Sequence, residues 1–88
     1  MDTRKLEKIV KGFSNHRRIQ ILALLDRMPR LSVFATADEL DTNFKTISEH
    51  LRRLTAAGLV TKRNIGNVVE HSLSPLGKSI LKFLRILE

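Results

Sequence analysis

Within the run FKTISEHLRRL stand Lys45, Thr46, Ser48, Glu49, Arg52 and Arg53, a mixture of cations, hydroxyls and a carboxylate that can bond base edges and phosphates. At about 100° per residue, Lys45, Ser48, Glu49 and Arg52 share one side of a helix, flanked by Thr46 and Arg53. Ile47, Leu51 and Leu54 fall on the other, with Phe44 at its edge and, at the start of the helix, counted with the DNA-binding candidates. Lys45 could donate to guanine, Thr46 and Ser48 could bond bases or phosphate, and Arg52 and Arg53 suit backbone. Glu49 has two readings: it accepts from a cytosine amino group, or it pairs with Lys45 or Arg53 four residues away, which is slightly favoured. On this helix alone a solvated polar face explains the pattern about equally well.

A second cluster decides between them. LVTKRN and NVVEHSL read as two strands flanking Ile65-Gly66, with glycine where a hairpin tip needs positive φ. Lys62 and Arg63 then close the first strand, and Asn64 and Asn67 flank the tip, so basic and amide groups gather where a wing would meet the minor groove or phosphates. Arg17 and Arg18 rank lower, because an arginine there can equally hold the fold by bonding neighbouring carbonyls.

The rest of the chain must position these groups. Leu6, Ile9, Val10 and Phe13 repeat at helical spacing and predict a first helix ending near Gly12. Asn15 caps a second, from about His16 to Met28, whose Ile19, Ile21, Leu22, Leu24 and Leu25 make it the core helix, stopped by Pro29. LSV is short and β-prone; Thr36 with Glu39 matches a capping box opening a brief helix around Ala37 to Leu40. Asp41, Thr42 and Asn43 make a tight connection to a longer helix, Phe44 to Ala57, closed by Gly58. After Ser74-Pro75 a last helix begins near Leu76. Short helix, tight turn and longer helix form a helix-turn-helix, and the hairpin makes it winged. The expected class is mainly α with a small hairpin: helix, helix, short strand, helix, helix, hairpin, helix, in one domain over 1–88.

Sixteen Lys and Arg against nine Asp and Glu leave a net charge of +7, which favours a polyanionic partner. The absence of cysteine excludes disulfides and thiolate chemistry and is compatible with a reducing cytosol. Neither a signal-peptide run nor a membrane span is seen, so a cytoplasmic protein is expected. With no glycine-rich phosphate loop and no paired acid and base in a recognisable motif, no enzymatic activity and no cofactor are expected. With no Trp or Tyr and four Phe that mostly fit core positions, RNA binding by stacking ranks low.

In the last helix Leu76, Ile80, Leu81, Phe83, Leu84, Ile86 and Leu87 sweep more than half the circumference, more than one core covers. A symmetric dimer would bury Ile80, Phe83, Leu84 and Leu87, together with Leu6, Ile9, Val10 and Phe13 of the first helix.

Over nearly its full length the chain resembles the ArsR-like winged helix-turn-helix transcription regulators, with a secondary likeness to the MarR group. The matching stretches are SNHRRIQIL, FKTISEHLRRLTAAGLV and VVEHSLSPLGKSIL. The resemblance implies a homodimeric regulator, with Ser48 and the residues around Lys45 facing the groove and Leu51, Leu54, Gly58, Leu59 and Val60 as framework. Many such regulators sense metals through a cysteine pair near the short helix or through carboxylates and histidines on the last one. Here those places hold Val33, Phe34 and Ala35, and a final helix whose only acidic residue is Glu88. His16, His50 and His71 lack ligand spacing, so no metal site is expected. The family often has proline at His16 and an aromatic at His71 or Glu70. The expected function is sequence-specific duplex-DNA binding, probing the major groove with 44–57 and the minor groove or backbone with the wing, 60–72. The rival is a winged-helix protein-interaction module.

Overall fold

Every helix begins on a side chain that accepts otherwise unpaired amides. In the computed structural model, which describes residues 1–88, Asp2 caps α1 (Thr3–Phe13), Asn15 caps α2 (His16–Arg27), Ser32 caps α3 (Val33–Glu39), Asn43 caps α4 (Phe44–Ala56) and Ser74 caps α5 (Pro75–Ile86). Between α4 and α5 lie β1 (Val60–Ile65) and β2 (Val68–Leu73), an antiparallel pair. No helix is long and apolar enough to cross a membrane.

Three local expectations are corrected. The short helix starts at Val33, ahead of the Thr36–Glu39 box, because Ser32 Oγ accepts from Ala35 N at 3.1 Å. Thr36 is then inside the helix, fully buried, with its hydroxyl donating to Ser32 O at 2.8 Å. That leaves no room for an LSV strand: only Leu31 pairs, exchanging both backbone hydrogen bonds with His71. The hairpin tip is Gly66-Asn67, one residue later than expected, with Ile65 paired to Val68. Gly66 has φ +61, so the glycine takes the first central position of the two-residue turn, where positive φ is required.

The core gathers Ile21, Leu22, Leu24 and Leu25 of α2, Ile47, Leu51 and Leu54 of α4, and Leu59, Val60 and Leu81. In the α3–α4 turn Asp41 takes φ 48, Thr42 N donates to Ala37 O at 2.9 Å, and the Thr42 hydroxyl donates to Leu40 O at 2.8 Å. Arg18 ties α2 to two neighbours: Nη1 donates to Lys11 O and Gly12 O at 3.0 and 3.1 Å, and Nε to His50 Nδ1 at 3.2 Å. Of its two sequence readings, this is the fold-holding one.

The start of α5 is bolted to the α4–β1 junction. Ser74 Oγ accepts from Gly77 N at 2.9 Å and donates to Gly58 O at 2.6 Å. A Cβ on Gly77 would run into the Leu59 carbonyl oxygen, so Gly77→Ala should lower unfolding free energy by about 1–3 kcal/mol in urea titrations. Burial holds the His71 imidazole below its ordinary pKa, partly opposed by the Leu31 carbonyl, with Lys62 adding to the lowering. The folded state therefore keeps it neutral while the unfolded chain takes up a proton. Stability should be undiminished above about pH 6.5 and decline as pH falls below it. Urea midpoints at pH 7.5 and 5.5 should show this drop, reduced in His71→Gln.

Candidate nucleic-acid interface

Ile47 and Leu54 are fully buried and Leu51 nearly so, which fixes the rotation of α4. The opposite face leaves Lys45, Thr46, Glu49, Arg52 and Arg53 exposed and Ser48 half-buried. Asn43 Oδ1 accepts from Lys45 N and Thr46 N at 2.8 and 3.3 Å, so the cap that starts the helix also fixes the backbone beneath two of its polar side chains. On the hairpin, Lys62, Arg63, Asn64 and Asn67 are all exposed.

The two surfaces meet. Ser48 and Arg52 of α4 line one cleft of about 320 Å³ with Lys62 of β1, closed by Val33, Val69 and His71. Arg63, Asn64 and Asn67 stand farther out on the wing, away from that lining, and Lys45 and Thr46 lie toward the start of α4. Arg53 lines a different groove, shared with Lys8 and Lys11 of α1, with Arg18 and with Arg52, which borders both. Lys8 and Lys11 carry no local signal for this surface; only the docking of α1 on α4 brings them there.

Glu49 pairs with Arg52 and Arg53. Its carboxylate accepts from Arg52 Nε at 2.8 Å and Nη2 at 2.7 Å, and from Arg53 Nε at 3.0 Å. Arg53 was an expected partner; Arg52, one turn on, is an additional one, and Lys45 is in no ion pair. The Arg52 hydrogen bonds, with the charge of both arginines, hold the Glu49 carboxyl down at about 2. Lys45, Lys62 and Arg63 have no carboxylate partner within salt-bridge distance, so their charge is available to an outside anion.

The phenylalanines depart from expectation. Only Phe13 is in the core, at 8% exposure, so it belongs to the monomer interior rather than to a face left for a partner. Phe34, Phe44 and Phe83 stand in solvent. Of the other residues assigned to a dimer face, Leu6, Val10 and Leu87 are exposed and Ile9, Ile80 and Leu84 half-buried. Phe34 packs on Phe44 at the start of α4, a contact that spacing along the chain does not show. No three His, Asp or Glu side chains converge as metal ligands.

A helix with a buried stripe behind it, cations in front and a two-stranded wing beside it defines a winged helix-turn-helix protein. Residues 15–62 match the family described as bacterial regulatory protein, arsR family, and the chain belongs to that family. Among solved structures it is similar to reduced HlyU from Vibrio cholerae N16961, at TM-score 0.82 and 32% identity over 98% of this chain and 90% of that one. The transcriptional regulator HlyU from Vibrio vulnificus CMCP6 gives 0.79 and 33% over 98% and 90%. The homodimeric winged helix-turn-helix DNA-binding domain of Mb0332 from Mycobacterium bovis gives 0.88 and 26% over 97% and 79%. No curated protein matches the chain.

The Glu49 ion pairs make a direct prediction. Followed by carbon-13 NMR, the Glu49 carboxylate should stay ionised down to about pH 2, and Arg52→Ala should raise its midpoint toward the ordinary carboxylate range.

Proposed function

We propose that this protein is a sequence-specific, duplex-DNA-binding transcription regulator, a repressor, that acts as a homodimer in the cytoplasm. The observation that carries the reading is the single cleft shared by Ser48 and Arg52 of the recognition helix and Lys62 of the wing. One strand of a duplex can lie against both elements at once, base edges meeting the start of α4 and phosphates meeting the cations. The recognition helix, 44–57, takes the major groove; the wing, 60–72, takes the minor groove or backbone through Lys62, Arg63, Asn64 and Asn67.

Residues 1–88 serve as one domain in which α1 and α5 supply the dimer contact. Leu6 and Val10 of α1, Phe83 of α5 and Leu87 at its C-cap are exposed apolar side chains available to a second copy, and Mb0332, a similar structure, is homodimeric. Isologous pairing would present two recognition helices to an inverted repeat whose half-sites lie about 34 Å apart. The reading invokes neither a metal nor a cofactor, and no catalytic step.

Selection of the purified protein against random duplexes at two salt concentrations should enrich an inverted repeat. Lys45→Glu and Arg52→Glu should each weaken binding to it about tenfold or more without loss of folding by circular dichroism. Unaltered affinity in both variants would transfer the reading to a protein-interaction module. Light scattering on a sizing column should give twice the chain mass, and Phe83→Glu should give a monomer; a wild-type monomer at high micromolar concentration would overturn the dimer.

A further inference from the structure

Phe34 is 73% exposed and Phe44 41%, yet the two rings stack on each other, centroids 4.5 Å apart and tilted by 36°. Ring surface left in water adds little to folding stability, so an open aromatic pair points to contact with a partner. Its location narrows the partner. Phe44 is the first residue of α4, and the N-terminal side chains of such a helix are the ones that reach base edges. Phe34, second residue of α3, lies against it, so the Phe44 ring is braced by a neighbouring helix instead of swinging on its own side chain.

The surroundings offer the rings no cation to hold a phosphate. The cleft at the rings is lined by Asp38, Asp41, Thr42 and Asn43 and by no Lys or Arg, so the nearby carboxylates repel backbone. An apolar side chain in the major groove has one apolar feature to find, the C5 methyl of thymine. Lys45 and Thr46 are the next two residues of the same helix.

We infer that Phe44, braced by Phe34, recognises a thymine methyl in each half-site, making the pair a specificity-determining element of operator reading. The inference rests on the DNA-binding function proposed above. It places apolar readout at the start of the recognition helix and hydrogen-bonded readout at Lys45 and Ser48 beside it.

The test replaces each thymine of the selected operator in turn by deoxyuridine, which removes the methyl group and leaves every hydrogen-bonding group in place. At one position per half-site, wild-type protein should bind about fourfold more weakly, the worth of one buried methyl. Phe44→Ala should bind the two duplexes equally, Phe34→Ala should show a reduced penalty, and Phe44→Leu should keep a measurable one. Circular dichroism melting checks that the variants fold; should Phe44→Ala fail to fold, Phe44→Leu takes its place, and a penalty as large there as in the wild type overturns the assignment. Sequence-dependent binding with no uracil penalty at any position, or a full penalty retained by folded Phe44→Ala, overturns this inference while leaving the DNA-binding function standing. The ring pair would then be reassigned to a protein contact. No sequence-dependent binding by the wild type overturns both.

Discussion

The burial of Ile47, Leu51 and Leu54 is the constraint on which the rest of the molecule depends. A helix turns about 100° per residue, so a stripe locked into a core leaves no freedom over which side chains face outward. All three sit against α2 and the hairpin base in one cluster with Ile21, Leu22, Leu25, Leu59 and Val60. Rolling α4 by a single position would withdraw Leu51 or Ile47 from the core and turn Ser48 and Arg52 away from Lys62. Removing a leucine from such a site costs about 2–5 kcal/mol, a large share of what a domain this small has. The polar face of α4 is thus held by apolar packing behind it, and the groups in front are left facing solvent.

Electrostatics on that face is arranged by one carboxylate. Glu49 binds Arg52 through two hydrogen bonds and Arg53 through a third. Ion pairs this exposed contribute little to stability, because water and salt screen them. Their effect is on availability: two arginines are oriented and partly neutralised until a stronger anion competes, whereas Lys45, Lys62 and Arg63 remain unpaired. A net charge of +7 favours long-range attraction to a polyanion, and under the proposed function these three cations would supply the short-range contacts.

Small size shapes the opposite surface. An 88-residue chain buries a modest fraction of its apolar area, and here the first and last helices keep Leu6, Val10, Phe83, Ile86 and Leu87 open. Phe13, on the same stripe as Leu6 and Val10, turns inward instead. One amphipathic helix therefore divides its apolar face between the core and the outside, which periodicity alone does not reveal.

What the sequence alone determined is whatever acts within about four residues along the chain. Asn15 and Asn43 as caps, the 47/51/54 stripe, the glycine at the hairpin tip and the pairing of Glu49 with Arg53 were all legible, since capping, helical phase and i,i+4 contacts are local physics. Where two local signals competed, as Ser32 and Thr36 did for the start of α3, burial of Thr36 chose between them. The tertiary structure alone decided the contacts between segments distant in sequence: Arg18 on His50, Phe34 on Phe44, Lys8 and Lys11 beside Arg53, and Ser48 facing Lys62. Those depend on the angles at which helices and hairpin dock, and docking angles are set by the shape of the shared core, a property of many side chains packed at once.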